Sequence, residues 1–194
     1  AELTATGMSA EQAQTQVKAA LGISPDVDLS VYDSQKAMAN DEPDSVAVYA
    51  LDVQVQNTIV QTAKFMEGGS DLSLSQLSET AIHAIANQAK DGSSLDLGKT
   101  ETISTIIKEA VTEAAEIDST IDQTQLSNTA ETAAQGMSLG NQMVQDFVAS
   151  SRSIEETALE ITKLQAVSVG QVATKLPELA AGTVTPEQFL AENT

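Results

Sequence analysis

Residues 43–67 decide the fold, and they read PDSVAVYALDVQVQNTIVQTAKFME. An α-helix turns by about 100° per residue, and at that pitch the apolar side chains form two stripes on roughly opposite sides. One stripe contains Val48, Leu51, Val55, Ile59 and Met66, and the other contains Val46, Tyr49, Val53 and Val60. A helix with apolar residues on two sides packs between other helices. We therefore predict a central helix over about 43–67, with Asp41 as its cap, Pro43 in its first turn and Gly68-Gly69 at its end.

Apolar spacing and helix-terminating residues predict the remaining helices. These are a helix from Ser9 to Gly22, a short turn over 35–39, helices over 73–90, 100–117 and 122–150, a helix from Ser153 that ends or kinks near Pro177, and a short C-terminal helix over 185–193. No segment has the alternation of a strand bounded by hairpin turns. The sequence predicts an all-α antiparallel bundle of about six to eight helices. It forms a single domain over 1–194, or one with a subdivision near 91–99.

Two of these segments carry the clearest packing signals. Within 100–117, six apolar residues share the inward face: Ile103, Ile106, Ile107, Ala110, Val111 and Ala114. The 122–150 segment adds the small residues Ala134, Gly136 and Gly140, which let a neighbouring backbone approach closely. Because an interior Gly costs about 1 kcal/mol relative to Ala, tight packing is the favoured interpretation, and a helix break near Gly136 is the alternative.

The chain is strongly acidic, with 28 Asp and Glu against 9 Lys and Arg and a net charge of −19. Such a charge disfavours nucleic acid and anionic lipid, which bind clusters of Lys and Arg. It favours divalent cations as partners, or a salty medium that screens self-repulsion. The simpler interpretation is that the charge serves only the solubility of an exported protein. No apolar run reaches the roughly 20 residues that span a bilayer, so we expect no membrane insertion. The absence of Cys excludes disulfides and thiolate metal sites. This composition fits an exported bacterial protein, and the first residue, Ala1, suggests a mature product or a piece of a longer chain.

The residues of common catalytic sites are scarce. His83 is the only His, and we expect it on the outer face of its helix near Glu79, without a nucleophile beside it. Glu109, Glu113 and Glu116 share one outer face and are interpreted as solvated. We therefore predict that the protein is not an enzyme. An enzyme that uses carboxylates alone would need two acids that converge in a cleft, one with a raised pKa.

The loop over 26–33 is the best candidate for a metal site. Calcium binds six to eight oxygen ligands, often from acidic residues spaced along a loop, and Asp26, Asp28 and Asp33 are the candidate ligands. The loop lacks the Gly and the closing Glu of an EF-hand. The alternative is that Asp26 and Asp28 shape turns while Asp33 caps the next helix.

The first third of the chain resembles a known domain. The motifs are GMSAEQAQ at 7–14, VKAALGI at 17–23, DVDL at 26–29, the Tyr32-Asp33 pair, and ALDVQVQNTIVQ at 50–61. Over residues 3–68 they resemble a helical domain that recurs in long exported proteins of marine bacteria and cyanobacteria. Those proteins often carry calcium-binding repeats of the repeats-in-toxin kind or cadherin-like domains. The family often has Asp-Pro after the aromatic residue, where this chain has Asp33-Ser34.

Two functions follow as hypotheses. The scarcity of catalytic residues and the resemblance together favour a non-enzymatic helical module of a secreted or cell-surface multidomain bacterial protein. Such a module acts as a structural, adhesion or partner-binding domain beside neighbouring domains or another surface protein, and calcium stabilisation is an open part of this hypothesis. The alternative is a binding module for a small hydrophobic ligand, held in an interhelical cavity lined by Val48, Ile59, Met66 and Met137. A densely packed core at those positions would argue against the alternative.

Overall fold

A computed structural model describes residues 3, 7–42, 44–90, 94–150 and 153–193. The α-helices are α1 (Ala10–Leu21), α2 (Ser34–Ala39), α3 (Ser45–Glu67), α4 (Leu74–Ala89), α5 (Thr100–Ile117), α6 (Gln123–Ala149), α7 (Ile154–Leu164), α8 (Gly170–Ala180) and α9 (Pro186–Asn193). A π-helical turn, Gln165–Val169, joins α7 to α8 without a break. With that continuous rod counted once, the described residues form eight helices, and no strand occurs among them. The all-α bundle is confirmed.

Local sequence signals set most helix starts. Three N-cap serines, Ser9, Ser73 and Ser153, form capping boxes with Gln12, Gln76 and Glu156. In a capping box the serine side chain accepts from a backbone N–H of the first turn, and the partner side chain accepts from the serine N–H. At the other end of α1, Gly22 has φ of 68°, a left-handed conformation that suits glycine.

The start of α3 differs from the prediction. The helix begins at Ser45, and its N-cap residue is Asp44, which has φ of 62° and makes no capping hydrogen bond through its side chain. Asp41 does not cap α3, because it belongs to the turn that closes α2, where its N–H donates to Met38 O at 3.1 Å. The predicted position of Pro43 lies outside the described residues.

The centre of the molecule is α3, as predicted. It packs against α2, α4, α5, α6, α7 and α8. The main apolar core lies between α3, α4, α5, α6 and α8, and all six predicted inward residues of α5 are at most 1% exposed. A smaller cluster, Ala50, Val53, Val144, Ile161 and Leu164, seats α7 against α3 and α6.

The two apolar stripes predicted on α3 are only partly correct. Val48, Val53 and Met66 are buried, but Val60 is 45% exposed and Leu51 is half-buried. Much of the buried surface of α3 is polar instead: Gln54, Asn57, Thr58, Gln61 and Thr62 are each at most 5% exposed. The helix is central, but a dry apolar contact covers only part of it.

Residues 94–99, which precede α5, contribute to the core. Leu95 and Leu97 are buried, and Leu95 N donates to Ala20 O at 2.7 Å, which ties this segment to the end of α1. The main core takes residues from both sides of 91–99. Residues 91–93 lie outside the described part of the chain, and the subdivision stays a prediction.

The C-terminal half shows why the small residues of α6 are there. A Cβ atom added to Gly136 would lie 3.0 Å from Phe189 Cε1, so the glycine lets α9 approach closely. Helix α6 continues through Gly136 without a break.

The last long helix was predicted to end or kink near Pro177. It does not end there, because α8 continues to Ala180. Burial of Leu176, Leu179 and Ala180 holds the helix beyond the proline.

Candidate functional site

An apolar groove lies between α1 and the α3–α4 pair. Its volume is about 580 Å³. Its walls are mainly aliphatic side chains from three helices: Val17 and Leu21 of α1, Val55 and Ile59 of α3, and Ile82 and Ile85 of α4. Ala10, Ala13, Ala86, Ala89, Leu3, Leu29 and Leu95 complete the apolar lining, and the polar residues of the wall are Gln14 and Ser30. Pockets of 300–1,000 Å³ with mostly apolar walls and a few polar groups are typical of small-molecule sites.

The groove exists because α1 rests on small residues. The buried residues of α1 are Ala13 and Ala20, and its principal helix contact is with α4. The larger Val17 and Leu21 are only half-buried. The two buried alanines add little bulk beneath α1, and the half-buried aliphatic side chains beside them face an open space. Ile82, which is 40% exposed, stands at this space.

Lys18 fixes the loop that forms one wall of the groove. Its Nζ donates to Pro25 O at 2.7 Å and to Val27 O at 3.0 Å, so the ammonium closes the loop after α1. Farther along, Asp28 Oδ1 accepts from Ser30 Oγ at 2.7 Å and from Ser30 N at 3.0 Å. These bonds from Ser30 hold the pKa of the Asp28 carboxyl below its usual value. The hydrogen bonds of Lys18 and Asp28 together place Leu29 and Ser30 on the groove wall.

The three predicted metal ligands have separate local roles. Asp28 shapes the turn with Ser30, and Asp33 caps α2, where its Oδ1 accepts from Lys36 N at 3.0 Å. Asp26 is exposed on the loop surface. Among the residues that the structure describes, no three His, Asp or Glu side chains converge closely enough to hold a metal ion. Lys18 already donates to two of the loop's carbonyl oxygens. Calcium binding by this loop stays a prediction.

His83 lies in a different environment from the one predicted. Its Nδ1 contacts Glu113 Oε1 on α5, a partner that was not predicted, and both side chains are 29% exposed. One turn away, Gln88 Nε2 donates to Glu109 Oε1 at 2.6 Å. Glu109 and Glu113 therefore connect α4 to α5 rather than projecting freely into solvent. The prediction missed both connections, because the helical pattern of one segment does not show which neighbour lies across it.

A buried polar seam also escaped the sequence reasoning. We use this name for Gln54, Asn57, Thr58 and Gln61 of α3 together with Asn141 of α6, all at most 5% exposed. Asn141 Nδ2 donates to Thr58 Oγ1 at 3.2 Å and to Leu97 O at 3.0 Å. The available signal was the spacing of residues 54, 57, 58 and 61, which places four polar residues on one helical face.

The ligand cavity predicted from the sequence is not formed by the four residues named for it. Val48, Met66 and Met137 are at most 3% exposed, and Met66 and Met137 belong to the main apolar core. Only Ile59 lines the groove beside α1. An apolar cavity therefore exists, but it lies at the edge of the bundle rather than at its centre.

Comparison of the chain with protein-family models, with curated proteins and with solved structures finds no match. Of the helices in the described ranges, none combines the length and the apolar character needed to cross a membrane.

Proposed function

We propose that the protein is a non-enzymatic helical binding module of a secreted or cell-surface bacterial protein, and that it binds through the groove between α1 and α3–α4. The observation that carries the proposal is the groove itself, with aliphatic side chains from three helices around a volume of about 580 Å³. Solvent-exposed aliphatic surface of this kind is costly unless a ligand or partner covers it.

The favoured occupant is a small, uncharged, apolar molecule. The groove walls offer dispersion contacts and few polar partners, and a net charge of −19 repels anions at long range. Gln14 and Ser30 provide a limited number of hydrogen bonds for orientation. The ligand class follows from this lining, and the polar fraction of the wall is too small to favour a sugar or a nucleotide.

A pair of fluorophores tests this proposal. N-phenyl-1-naphthylamine is uncharged and brightens in apolar sites, and 8-anilinonaphthalene-1-sulfonate has related rings with a negative charge. We expect the uncharged probe to bind with at least tenfold higher affinity. Ala86→Leu places a larger side chain in the groove and should abolish binding, whereas Ala47→Leu, at an exposed position of α3 away from the groove, should not. Equal affinity of both variants would remove the groove as the binding site.

The second candidate is a structural or adhesion module without a small ligand, set beside neighbouring domains. The resemblance of residues 3–68 to a domain of large exported proteins and the acidic composition support it. An antibody against this chain tests the location and the longer parent in one blot. We expect a band far above 20.2 kDa in the extracellular or cell-surface fraction of the producing cells. A 20.2 kDa band in the cytosol would contradict both expectations.

Calcium stabilisation forms a separate part of the proposal. A ligand that binds only the folded state raises the melting temperature. If the loop that contains Asp26 and Asp28 binds calcium, chelator should lower the melting temperature and excess calcium should restore it. Identical melting curves with chelator and with calcium would eliminate this role. Asp26→Asn is the variant to compare with the parent, because Asp26 is a candidate ligand and is exposed.

A further inference from the structure

A second cavity lies on the other side of α3, where the π-helical turn passes α6. Its volume is about 390 Å³, and we call it the π-turn cavity. Its lining includes Gln61 of α3, Gly140 and Met143 of α6, and Val169 of the π-helical turn. A π-helical turn widens a helix locally, and such turns are frequent at functional sites. This cavity is separate from the groove beside α1 and does not depend on the function proposed for it.

Gln61 presents an unused acceptor to this cavity. The residue is 2% exposed, and its Nε2 donates to Val169 O at 3.2 Å. Within the described part of the chain, this is the one hydrogen bond of the Gln61 side chain, and no protein group donates to its Oε1. Gln61 Oε1 is not among the fully enclosed unpaired atoms of the described chain, so a donor can reach it from the cavity. Side-chain acceptors in such positions are hydrogen-bonded to protein or to water, and a ligand that carries a donor can take the place of water here.

Gly140 keeps the cavity open. The nearest neighbour of a Cβ added there would be Val169 Cγ2 at 3.5 Å, an ordinary contact, so packing does not require glycine at this position. This differs from Gly136, whose missing side chain makes room for Phe189. Glycine in a helix interior is less stable than alanine. Glycine at position 140 therefore leaves space beside Val169 that a larger side chain would occupy.

We propose that the π-turn cavity binds a small amphipathic molecule whose hydroxyl or amino group donates a hydrogen bond to Gln61 Oε1. Met143 and Val169 contact the apolar body of this ligand. Glu192 belongs to the lining, and its negative charge, with the net charge of −19, disfavours anions. The ligand class is therefore a neutral or cationic alcohol or amine on a compact apolar group.

Three probes of one size test the hydrogen bond: benzyl alcohol, benzylamine and toluene, each titrated into the ¹⁵N-labelled full chain and followed by NMR. We expect the alcohol and the amine to bind at least fivefold more tightly than toluene, with the largest shifts at residues of α3, α6 and the π-helical turn. Gln61→Met keeps the side-chain length and removes the acceptor, so the preference for the donor-bearing probes should disappear. Preserved selectivity in that variant would overturn the proposal.

A second set of variants tests the cavity independently of Gln61. Gly140→Leu fills the space and should weaken all three probes by at least tenfold, and Ala149→Leu, exposed on the same helix, should leave them unchanged. Gly140→Ala should melt at a higher temperature than the parent and bind more weakly, which gives a readout even if the leucine variant does not fold. The groove variant Ala86→Leu should retain full binding. Unchanged binding in both Gly140 variants, or shifts confined to α1 and α4, would contradict the assignment.

Discussion

Helices α5 and α3 are both buried, but they are buried in different ways. The inner face of α5 consists of Ile, Val and Ala, plus Ser104, and its six predicted inward residues are at most 1% exposed. The seam-facing side of α3 buries amides and hydroxyls, and several of their atoms have no hydrogen-bond partner within the described chain, such as Gln54 Oε1 and Asn57 Nδ2. The α5 surface gains stability mainly from the hydrophobic effect, and the α3 surface buries polar groups that are only partly hydrogen-bonded.

This difference indicates that the two helices contribute to the bundle in different ways. A continuous apolar contact tolerates small shifts, whereas a hydrogen-bonded seam fixes the register between helices. Gln61 donates to Val169 O, and Gln165 Nε2 donates to Asn57 Oδ1 at 3.4 Å, so the seam fixes the position of the α7–α8 rod on α3. Both cavities proposed as binding sites border α3 rather than α5.

The largest effect is expected in the apolar contact. Ile107→Ala should lower the free energy of unfolding by about 3 kcal/mol, because the lost methylene groups leave a cavity in a fully packed region. Ile117→Ala, at the 54% exposed end of the same helix, should change it by less than about 0.5 kcal/mol. Urea denaturation measures both. Equal effects of the two variants would mean that α5 is not the dry face of the bundle.

A smaller loss is expected in the polar seam. Asn141→Ala removes two hydrogen bonds and leaves Leu97 O without its donor, so we expect a loss of about 2 kcal/mol. Asn128→Ala, exposed on the same helix, is the control. If both variants unfold at the same urea concentration, the hydrogen bonds of the seam contribute nothing to stability, and the contrast between α3 and α5 is lost.

At Gln54 we expect a substitution that increases the free energy of unfolding. Its Oε1 is buried without a partner, and an unpaired buried amide is costly. Gln54→Met keeps the volume and removes the polar atoms, and it should raise the free energy of unfolding by about 1 kcal/mol. Thermal and urea melts of this variant distinguish a dry seam from a hydrated one, because destabilisation would show that water satisfies the amide.

The smallest expected effect concerns Asp96, at the solvent side of the segment that covers the seam. Burial works to raise the pKa of its carboxyl, but hydrogen bonds from Gln145 and Gly98 N outweigh it and hold the pKa below its usual value. The group therefore adds stability above its unfolded pKa near 4 and loses that contribution as the pH falls through the folded value. Asp96→Asn should be destabilised by well under 1 kcal/mol at pH 7, since solvent screens the group.

The pH dependence provides the check on Asp96. The difference in melting temperature between the parent and Asp96→Asn should shrink as the pH is lowered from 6 to 3. A difference that is constant over this range would mean that the Asp96 carboxylate is not stabilised by Gln145 and Gly98.

How well the sequence predicted each region depends on how local its interactions are. The inward face of α5 and the helix starts at Ser9 and Ser73 were predicted, because helical periodicity and helix starts involve residues within a few positions. The seam was not predicted, because Asn141 and Thr58 are 83 residues apart and Gln61 and Val169 are 108 apart. A polar residue in a single segment gives no indication of a distant partner.

The candidate site was predicted even less completely. The sequence indicated an apolar interhelical cavity, but three of the four residues assigned to it lie away from the groove. The groove depends on how far α1 stands from α3 and α4, and that distance is a property of packing rather than of periodicity. Lys18 fixes the loop at one wall of the groove by donating to a backbone oxygen of that loop. No sequence pattern indicates this role.

The groove is the central functional claim, and intermolecular NOEs test it most directly. With N-phenyl-1-naphthylamine bound to methyl-labelled protein, we expect NOEs from the probe rings to the methyl groups of Val17, Ile59 and Ile82, one from each helix of the groove. A saturable complex that gives NOEs to none of these three residues would contradict the account.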